Sequence, residues 1–220
     1  MKIFFISIGD NFVDGVNGNL AFTNIIQLIS LALLASMLGD IVIAQLSFVL
    51  LIPLIIFALF NFPFGKIFCG DAGAYFYGFA ISGTTIYLFG TYDNLLSWCA
   101  ILILIYPSIE LLFSFIRKKL FENKSPFTAD AKHLHSLIYR YLNKKNSALT
   151  NNSFVTIYLT PLILSPLVTY LFYDDVFAII FAINLIFFMY AFSYQFISNK
   201  LSIKWRSFKY LQTSFFWRKK

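Results

Sequence analysis

Residues 41–60 read IVIAQLSFVLLIPLIIFALF and carry no charge. An α-helix rises about 1.5 Å per residue, so a run of about 20 apolar residues is long enough to cross the hydrocarbon core of a bilayer. Five further runs of similar length are Leu20–Leu38, Ala72–Phe89, Leu95–Ile116, Phe154–Tyr173 and Val176–Ile197. The sequence therefore predicts an all-α membrane protein, a polytopic helical bundle of about six transmembrane helices.

The composition of the 220-residue chain agrees with this prediction. It is 59% hydrophobic and only 12% charged, whereas a soluble domain carries about 25% charged residues. Six such runs inside a soluble protein would leave almost no polar surface, so that alternative is disfavoured. Cys69 and Cys99 are too far apart to suggest a metal or disulfide motif. We expect a single integral-membrane domain over residues 1–220, with a loop at 117–153 and a basic aromatic tail at 198–220.

The positions of the 17 lysines and arginines predict the orientation of the bundle. Lys2 precedes the first run, Lys66 lies between the second and third, and the others follow the fourth or the sixth. Cytoplasmic loops of membrane proteins are enriched in Lys and Arg. Both termini, residues 61–71 and the loop 117–153 are therefore expected to be cytoplasmic. Nucleic-acid binding is a weaker interpretation, because these cations flank membrane spans, where anionic headgroups attract them.

The first polar cluster is residues 10–18, DNFVDGVNG. Its Asn, Asp and Gly residues favour a turn that leads into the first span. A helix cap at Asn17 or Asn19 would need only one such residue. A turn with a capping role and a functional cluster therefore stand as equal alternatives.

The second cluster is residues 62–73, FPFGKIFCGDAG. Asp71 could cap the third span, since Asp is a preferred N-cap residue. A carboxylate on a glycine-flanked turn could equally hold Mg²⁺, which binds one or two carboxylates together with substrate phosphates. In that interpretation Lys66 contacts a phosphate as a point charge. Phe68 is then either an anchor at the membrane interface or a platform on which a base stacks.

The third cluster is residues 125–140, SPFTADAKHLHSLIYR, which includes both histidines of the chain. A helix from Asp130 to about Leu142 would place His133 and Arg140, together with Ser136, on one polar face. Its apolar stripe would consist of Leu134, Leu137, Ile138, Tyr141 and Leu142. This pattern predicts an amphipathic helix that lies in the plane of the interface.

The ionisable residues of this region suggest two different roles. A site that binds phosphates is suggested by His133, His135 and Arg140. The alternative is a polar face that is merely solvated. The two histidines alone, as neutral ligands, are weak evidence for a metal site. Glu110 lies inside the fourth span, where an ionisable residue is a functional candidate. We expect it instead to reach the interface toward Arg117, two helical turns further on.

Together the three clusters resemble the polyprenyl-phosphate sugar-1-phosphate transferase family, which is glycosyltransferase family 4-like. Its bacterial branches include undecaprenyl-phosphate N-acetylglucosamine-1-phosphate transferase and phospho-N-acetylmuramoyl-pentapeptide transferase. The residues that match its Asn-x-x-Asp-Gly-x-x-Gly motif are Asn11, Asp14, Gly15 and Gly18. Those that match Asn-x-Pro…Lys-x-Phe-x-Gly-Asp-x-Gly are Asn61, Pro63, Lys66, Phe68, Gly70, Asp71 and Gly73. Those that match Ser-Pro-Phe followed by Asp-x-x-His-x-His-His are Ser125, Pro126, Phe127, Asp130, His133 and His135.

The resemblance implies an activity as well as a fold. It implies Mg²⁺-dependent (or Mn²⁺-dependent) transfer of an N-acetylhexosamine-type sugar-1-phosphate from a UDP-sugar to undecaprenyl phosphate, with release of UMP. That reaction is the first membrane step of cell-envelope polysaccharide synthesis, and it would occur at the cytoplasmic face of the bacterial inner membrane. The implied partners are the UDP-sugar, undecaprenyl phosphate, membrane lipid and a second copy of the chain in a homodimer, with no nucleic acid.

The resemblance also implies a role for each matching residue. Asp71 would bind Mg²⁺, and Phe68 would stack on uracil. His133 and His135 would contact the phosphates. Asn11, Asp14 and Asn61 would contact the nucleotide and the sugar. The predicted catalytic residues are Asp14, Asp71, His133 and His135, and the substrate contacts suggested by the residues themselves include Lys66 and Arg140.

Two departures from the family pattern leave alternatives open. Ser136 stands where the third motif ends in His. Family members also carry an upstream loop with an Asp-Asp pair, which this sequence lacks. The resemblance therefore covers the C-terminal two thirds of the family fold. It predicts an N-terminally truncated chain. The alternatives are a non-catalytic remnant of such an enzyme and a polytopic transporter, which would carry more polar residues near mid-span.

Overall fold

The computed structural model describes residues 2–122, 132–145, 148 and 150–201, and within these ranges it consists of helices joined by short connections. In chain order the helices are α1 (Lys2–Val13), α2 (Asn19–Met37), α3 (Ile41–Asn61), α4 (Gly70–Thr91), α5 (Ser97–Ile103), α6 (Ile105–Ile116), α7 (Leu134–Lys145), α8 (Asn151–Ile163), α9 (Leu167–Leu171) and α10 (Val176–Lys200). A π-helical segment, Arg117–Glu122, continues α6. No strand occurs in these ranges, which confirms the predicted all-α class.

Several of these helices are long and apolar enough to cross a membrane. Within the described residues there are four such stretches, Asn19–Met37, Ile41–Asn61, Asn151–Leu171 and Val176–Lys200. The pair Ser97–Ile103 and Ile105–Lys119, which meet at 75°, makes a fifth if it counts as one broken span. The predicted run Ala72–Phe89 lies within α4, a 22-residue helix that is not among these stretches. The chain is therefore a multi-pass helical protein, and the count of six spans and the cytoplasmic termini stay predictions.

The helix α2 lies at the centre of the bundle and packs against α3, α4, α8 and α9. The turn into α3 uses Gly39 at φ +76°, a conformation that favours glycine. The Asp40 carboxylate then accepts a hydrogen bond from the Ile43 amide at 3.0 Å and caps α3. Leu31 of α2 and Leu54 of α3 are fully buried between the helices. The apolar residues on the outer faces of α3 and α10 stay exposed, as they would in contact with lipid.

The break between α5 and α6 follows from a proline. Pro107 has no backbone N–H, so the Ile103 carbonyl, four residues earlier, cannot find its helical partner. The Gln27 side chain of α2 fills that place and donates to the Ile103 carbonyl at 3.1 Å. A kink at such a point is tolerated because a neighbouring helix satisfies the freed carbonyl.

Two predicted boundaries near the N-terminal clusters are wrong. The predicted turn over residues 10–18 begins later, because α1 continues to Val13 and includes Asp10 and Asn11. The predicted cap of the third span is also displaced: α4 begins at Gly70, so Asp71 lies in its first turn and not at the N-cap. An acidic residue in the first turn is still favoured by the positive end of the helix dipole.

The amphipathic helix of the third cluster is present as α7. Asp130, its predicted start, lies outside the described residues, as do Ser125–Phe127 and the tail beyond residue 201. Its predicted apolar stripe is confirmed, since Leu134, Leu137 and Ile138 are buried in the core. The stripe packs against α8 and α10, so other helices cover it.

Candidate active site

The three sequence clusters meet at one place in the fold. The side chain of Asn11 donates a hydrogen bond to Asp71 Oδ1 at 2.9 Å, which joins the end of α1 to the start of α4. The Gly70 amide lies near the Asp14 carboxylate at the same point and favours its ionised form. On its other side the turn after α1 contacts the third cluster, because a Cβ placed on Gly15 would collide with His135 Nε2. Residues more than 100 positions apart in the sequence are thus neighbours.

Two carboxylates share this place. Burial raises the pKa of Asp14, the neighbouring Asp71 carboxylate raises it further, and the Gly70 amide and His135 only partly offset these effects. Two neighbouring carboxylates of this kind offer oxygen ligands for a divalent cation. No group of three or more His, Cys, Asp or Glu with metal-binding geometry occurs in the described ranges. One or two carboxylates together with substrate phosphates and water nevertheless fit Mg²⁺, which rarely binds in an all-protein cage.

Glu110 lies beneath the two histidines, and its predicted position is wrong. Its side chain is 1% exposed and does not reach the interface. Glu110 Oε2 accepts a hydrogen bond from the Tyr190 hydroxyl at 2.9 Å. The same oxygen lies 3.5 Å from His133 Nδ1, and Oε1 lies 3.8 Å from His135 Nδ1. The expected partner, Arg117, is paired with Glu122 at 2.8 Å instead.

The two histidine rings are parallel and buried. Their planes differ by 2° and their centroids are 5.6 Å apart. The Phe12 ring packs on His133 at 4.8 Å, and Lys118 Nζ lies 5.7 Å from the centroid of the Phe12 ring. The predicted polar face that His133 shares with Arg140 is therefore not solvated as a whole, because His133 is buried and Arg140 is exposed. His133 directly precedes α7, and the end of α1 covers it.

Glu122, at the end of the π-helical segment that continues α6, binds two cationic side chains. Glu122 accepts hydrogen bonds from Arg117 at 2.8 Å and from Lys132 at 2.7 Å. Burial opposes ionisation of Glu122, but the hydrogen bonds from Lys132 and Arg117 outweigh it and hold its pKa below the ordinary value. These contacts tie Lys132, the residue before His133, to the π-helical segment.

Asn61 is used by the fold itself. Its side chain is buried, its oxygen accepts from the Gly18 amide at 2.5 Å and its nitrogen donates to the Ile67 carbonyl at 2.7 Å. Asn17 supports the same loop, since its side chain donates to the Pro63 carbonyl at 2.8 Å. The peptide bond that precedes Pro63 is cis. The predicted contact of Asn61 with substrate stays a prediction, and both of its polar side-chain atoms already hold this loop against the turn after α1.

The other predicted substrate contacts lie on exposed positions. Lys66 and Phe68 are exposed on the loop that ends at Asp71, and the Phe68 ring has 69% of its surface accessible. Arg140 is exposed on α7. These side chains are free to meet a ligand at the surface, and their predicted roles stay predictions.

Sequence reasoning missed Glu110 and Tyr190 as neighbours of the histidines. The Glu110 signal was available, because it is the one charged residue in six apolar runs. Its partners could not be read from the sequence, since Tyr190 is 80 residues away on α10. Asp10 was also missed: it is buried on α1, and its Oδ1 has no hydrogen-bond partner among the described residues.

Comparison with known proteins finds a family model and relatives that match part of this chain. Residues 3–89 match the family model of glycosyl transferase family 4. A probable undecaprenyl-phosphate N-acetylglucosaminyl 1-phosphate transferase of Bacillus subtilis (strain 168) is 35% identical over 129 residues, which is 57% of this chain and 35% of that protein. An undecaprenyl-phosphate alpha-N-acetylglucosaminyl 1-phosphate transferase of Thermotoga maritima is 31% identical over 144 residues, 66% of this chain and 43% of that protein.

These matches confirm the family resemblance inferred from the motifs. The chain spans between about a third and a half of the length of the curated relatives it matches. No solved structure gives a significant match. The matched segment includes two of the three clusters, Asn11–Gly18 and Asn61–Gly73.

Proposed function

We propose that this chain, whose residues 3–89 match glycosyl transferase family 4, transfers an N-acetylhexosamine 1-phosphate from a UDP-sugar to undecaprenyl phosphate at the cytoplasmic face of a bacterial inner membrane. The observation that carries the proposal is the hydrogen bond from Asn11 to Asp71, with Asp14 and His135 beside it. It joins the polar residues of three separate motifs in one site. The names of the two relatives supply the acceptor and the sugar class.

Mg²⁺ fits this site, and Asp71 would hold it. When bound, the ion would neutralise charge on the phosphates of the substrate, which is the main requirement of phosphoryl transfer. The side-chain amide of Asn11 fixes the orientation of the Asp71 carboxylate. Phe68, exposed on the same loop, offers a face on which a uracil ring can stack.

The cations and histidines supply the rest of the chemistry. Lys66 is exposed a few residues before Asp71 and can contact a phosphate as a point charge. His133 and His135 carry ring nitrogens that can donate to phosphate oxygens when protonated. A lipid-phosphate acceptor requires a site at the membrane surface, and the clusters lie at helix ends and not at mid-span.

The test is a membrane assay with UDP-N-acetylhexosamine and radiolabelled undecaprenyl phosphate. We expect a labelled lipid product that requires Mg²⁺ and is lost in Asp71→Asn. Asp93→Asn is the matched control, because Asp93 is also an exposed carboxylate but lies beyond the far end of α4. If Asp71→Asn forms product at the wild-type rate, the proposal is wrong. Nucleotide-sugar binding without any lipid product would indicate the non-catalytic remnant.

A further inference from the structure

We propose that Glu110 is a positioning residue that fixes the orientation of His133 and His135 and aims their Nε2 atoms toward the substrate. The proposal rests on the proposed function for the identity of the substrate. Its structural part, a carboxylate that holds two imidazoles from behind, can be tested without activity.

The position of Glu110 between the two rings is the first support. Its Oε2 faces His133 Nδ1 at 3.5 Å and its Oε1 faces His135 Nδ1 at 3.8 Å, so each oxygen serves one ring. The Tyr190 hydroxyl donates to Oε2 at 2.9 Å and fixes the carboxylate from α10. An imidazole that directs Nδ1 at a carboxylate carries its proton on that nitrogen.

The parallel arrangement of the rings is the second support. The two ring planes differ by 2° at a centroid distance of 5.6 Å, and both rings turn Nδ1 toward the same carboxylate, so their Nε2 atoms point away from Glu110. His135 Nε2 abuts Gly15, in the turn that carries Asp14. The Phe12 ring packs on His133 at 4.8 Å. The rings are therefore held by Glu110 on one side and by the end of α1 on the other.

The cost of burying a carboxylate is the third support. A charged side chain inside a helical bundle is unfavourable unless it is paired or hydrogen-bonded. Glu110 is 1% exposed, and the Tyr190 hydroxyl and the two imidazoles lie against its carboxylate.

The test uses the fact that the chain has only two histidines. A sample labelled with ¹⁵N-histidine, reconstituted in lipid nanodiscs, gives resolvable imidazole nitrogens. In the wild type we expect both Nδ1 signals to show a protonated nitrogen that faces a carboxylate. Glu110→Gln presents one acceptor in place of two, so we expect at least one of these signals to shift. Histidine signals that are unchanged in Glu110→Gln would overturn the proposal.

The kinetic arm separates positioning from binding. We expect Glu110→Gln to lower kcat by roughly 10- to 100-fold, as loss of a supporting partner does at comparable sites, while the KM for UDP-sugar changes less than about threefold. Tyr190→Phe should give a smaller loss in kcat, and Glu110→Asp should restore part of it. Tyr158→Phe is the matched control. It also removes a tyrosine hydroxyl, but within the described residues that hydroxyl is hydrogen-bonded to Ser193 and not to Glu110.

The outcomes distinguish the two proposals. If Glu110→Gln does not fold, Tyr190→Phe supplies both readouts with the carboxylate in place. Wild-type kcat in every folded Glu110 and Tyr190 variant overturns the positioning role. If the wild type itself lacks transferase activity, the proposed function fails, and the nitrogen signals alone decide whether Glu110 holds the histidines.

Discussion

Gly15→Ala should lower the activity of the site without changing the backbone. Gly15 does not adopt the left-handed conformation that favours glycine, so alanine costs no backbone strain there. Its Cβ would, however, lie 2.9 Å from His135 Cδ2 and 3.2 Å from His135 Cε1, and closer still to Nε2. Ordinary contact begins at 3.4 Å. The His135 ring must therefore withdraw by at least about 0.5 Å, toward Glu110.

The size of the effect follows from this displacement. A misplacement of about 1 Å at a catalytic group can lower a rate about 100-fold. We expect Gly15→Ala to lower kcat by roughly 10- to 100-fold, equivalent to about 1.4–2.7 kcal/mol in the activation free energy. Because the His135 side chain can give way, the melting temperature should change little. The measurement is the initial rate of lipid-product formation in membranes, with melting of the purified protein in detergent.

Gly83→Ala is the matched control for this prediction. Gly83 lies within α4, and a Cβ placed there meets nothing within 4 Å. We expect it to keep the wild-type kcat. A Gly15→Ala protein with kcat within twofold of wild type would refute the reasoning, since His135 would then not need the space that Gly15 leaves.

Three further predictions concern stability. Gly9→Ala should destabilise the fold by about 1–3 kcal/mol, because its Cβ would lie 2.8 Å from the Pro107 carbonyl oxygen, a backbone atom that cannot move aside. Its control, Gly83→Ala, should be neutral or stabilising by up to about 1 kcal/mol. Equal melting temperatures for the two variants would contradict this prediction. Asn61→Ala should lower the melting temperature by about 5–10 °C, because the Gly18 amide and the Ile67 carbonyl each lose a partner; an unchanged melting temperature would show that water replaces the side chain. Asp14 has a raised pKa in the folded protein, so the folded state binds more protons than the unfolded state above the ordinary value of 3.8. Stability should therefore fall as pH rises from 3.8 through the folded-state pKa, and Asp14→Asn should remove this part of the slope in metal-free melting experiments; a slope that Asp14→Asn leaves unchanged would refute the assignment.

The sequence predicted the helices well because their signal is local. The run at 41–60 and helix α3 agree at their start, and the run at 176–197 lies within α10. Helix ends were less predictable. Asp10 and Asn11 looked like turn residues, but α1 continues through them: Asp10 is buried, and Asn11 donates a hydrogen bond to Asp71 at the start of α4. Local polarity could not show that packing.

The site was predicted in part, and for a similar reason. The motif residues Asn11, Asp14, Asp71 and His135 do meet, because each lies at a helix end on the same side of the bundle. What lies behind them could not be predicted. The expected exposure of Glu110 followed from its distance to Arg117 along one helix, whereas its real partners come from α10 and from the residues at the start of α7.

The broken helix and the candidate site belong to one arrangement. Pro107 breaks the helical path and turns α6 by 75° relative to α5, and Glu110 follows Pro107 by less than one helical turn. The absence of a side chain at Gly9 lets α1 approach the Pro107 carbonyl. Phe12, one turn after Gly9, then packs on His133, while Asn11 faces Asp71 on the other side of α1. Helix α1 thus contacts both the histidines and Asp71. Its distance from α6 therefore decides whether the histidines and Asp71 lie in one site.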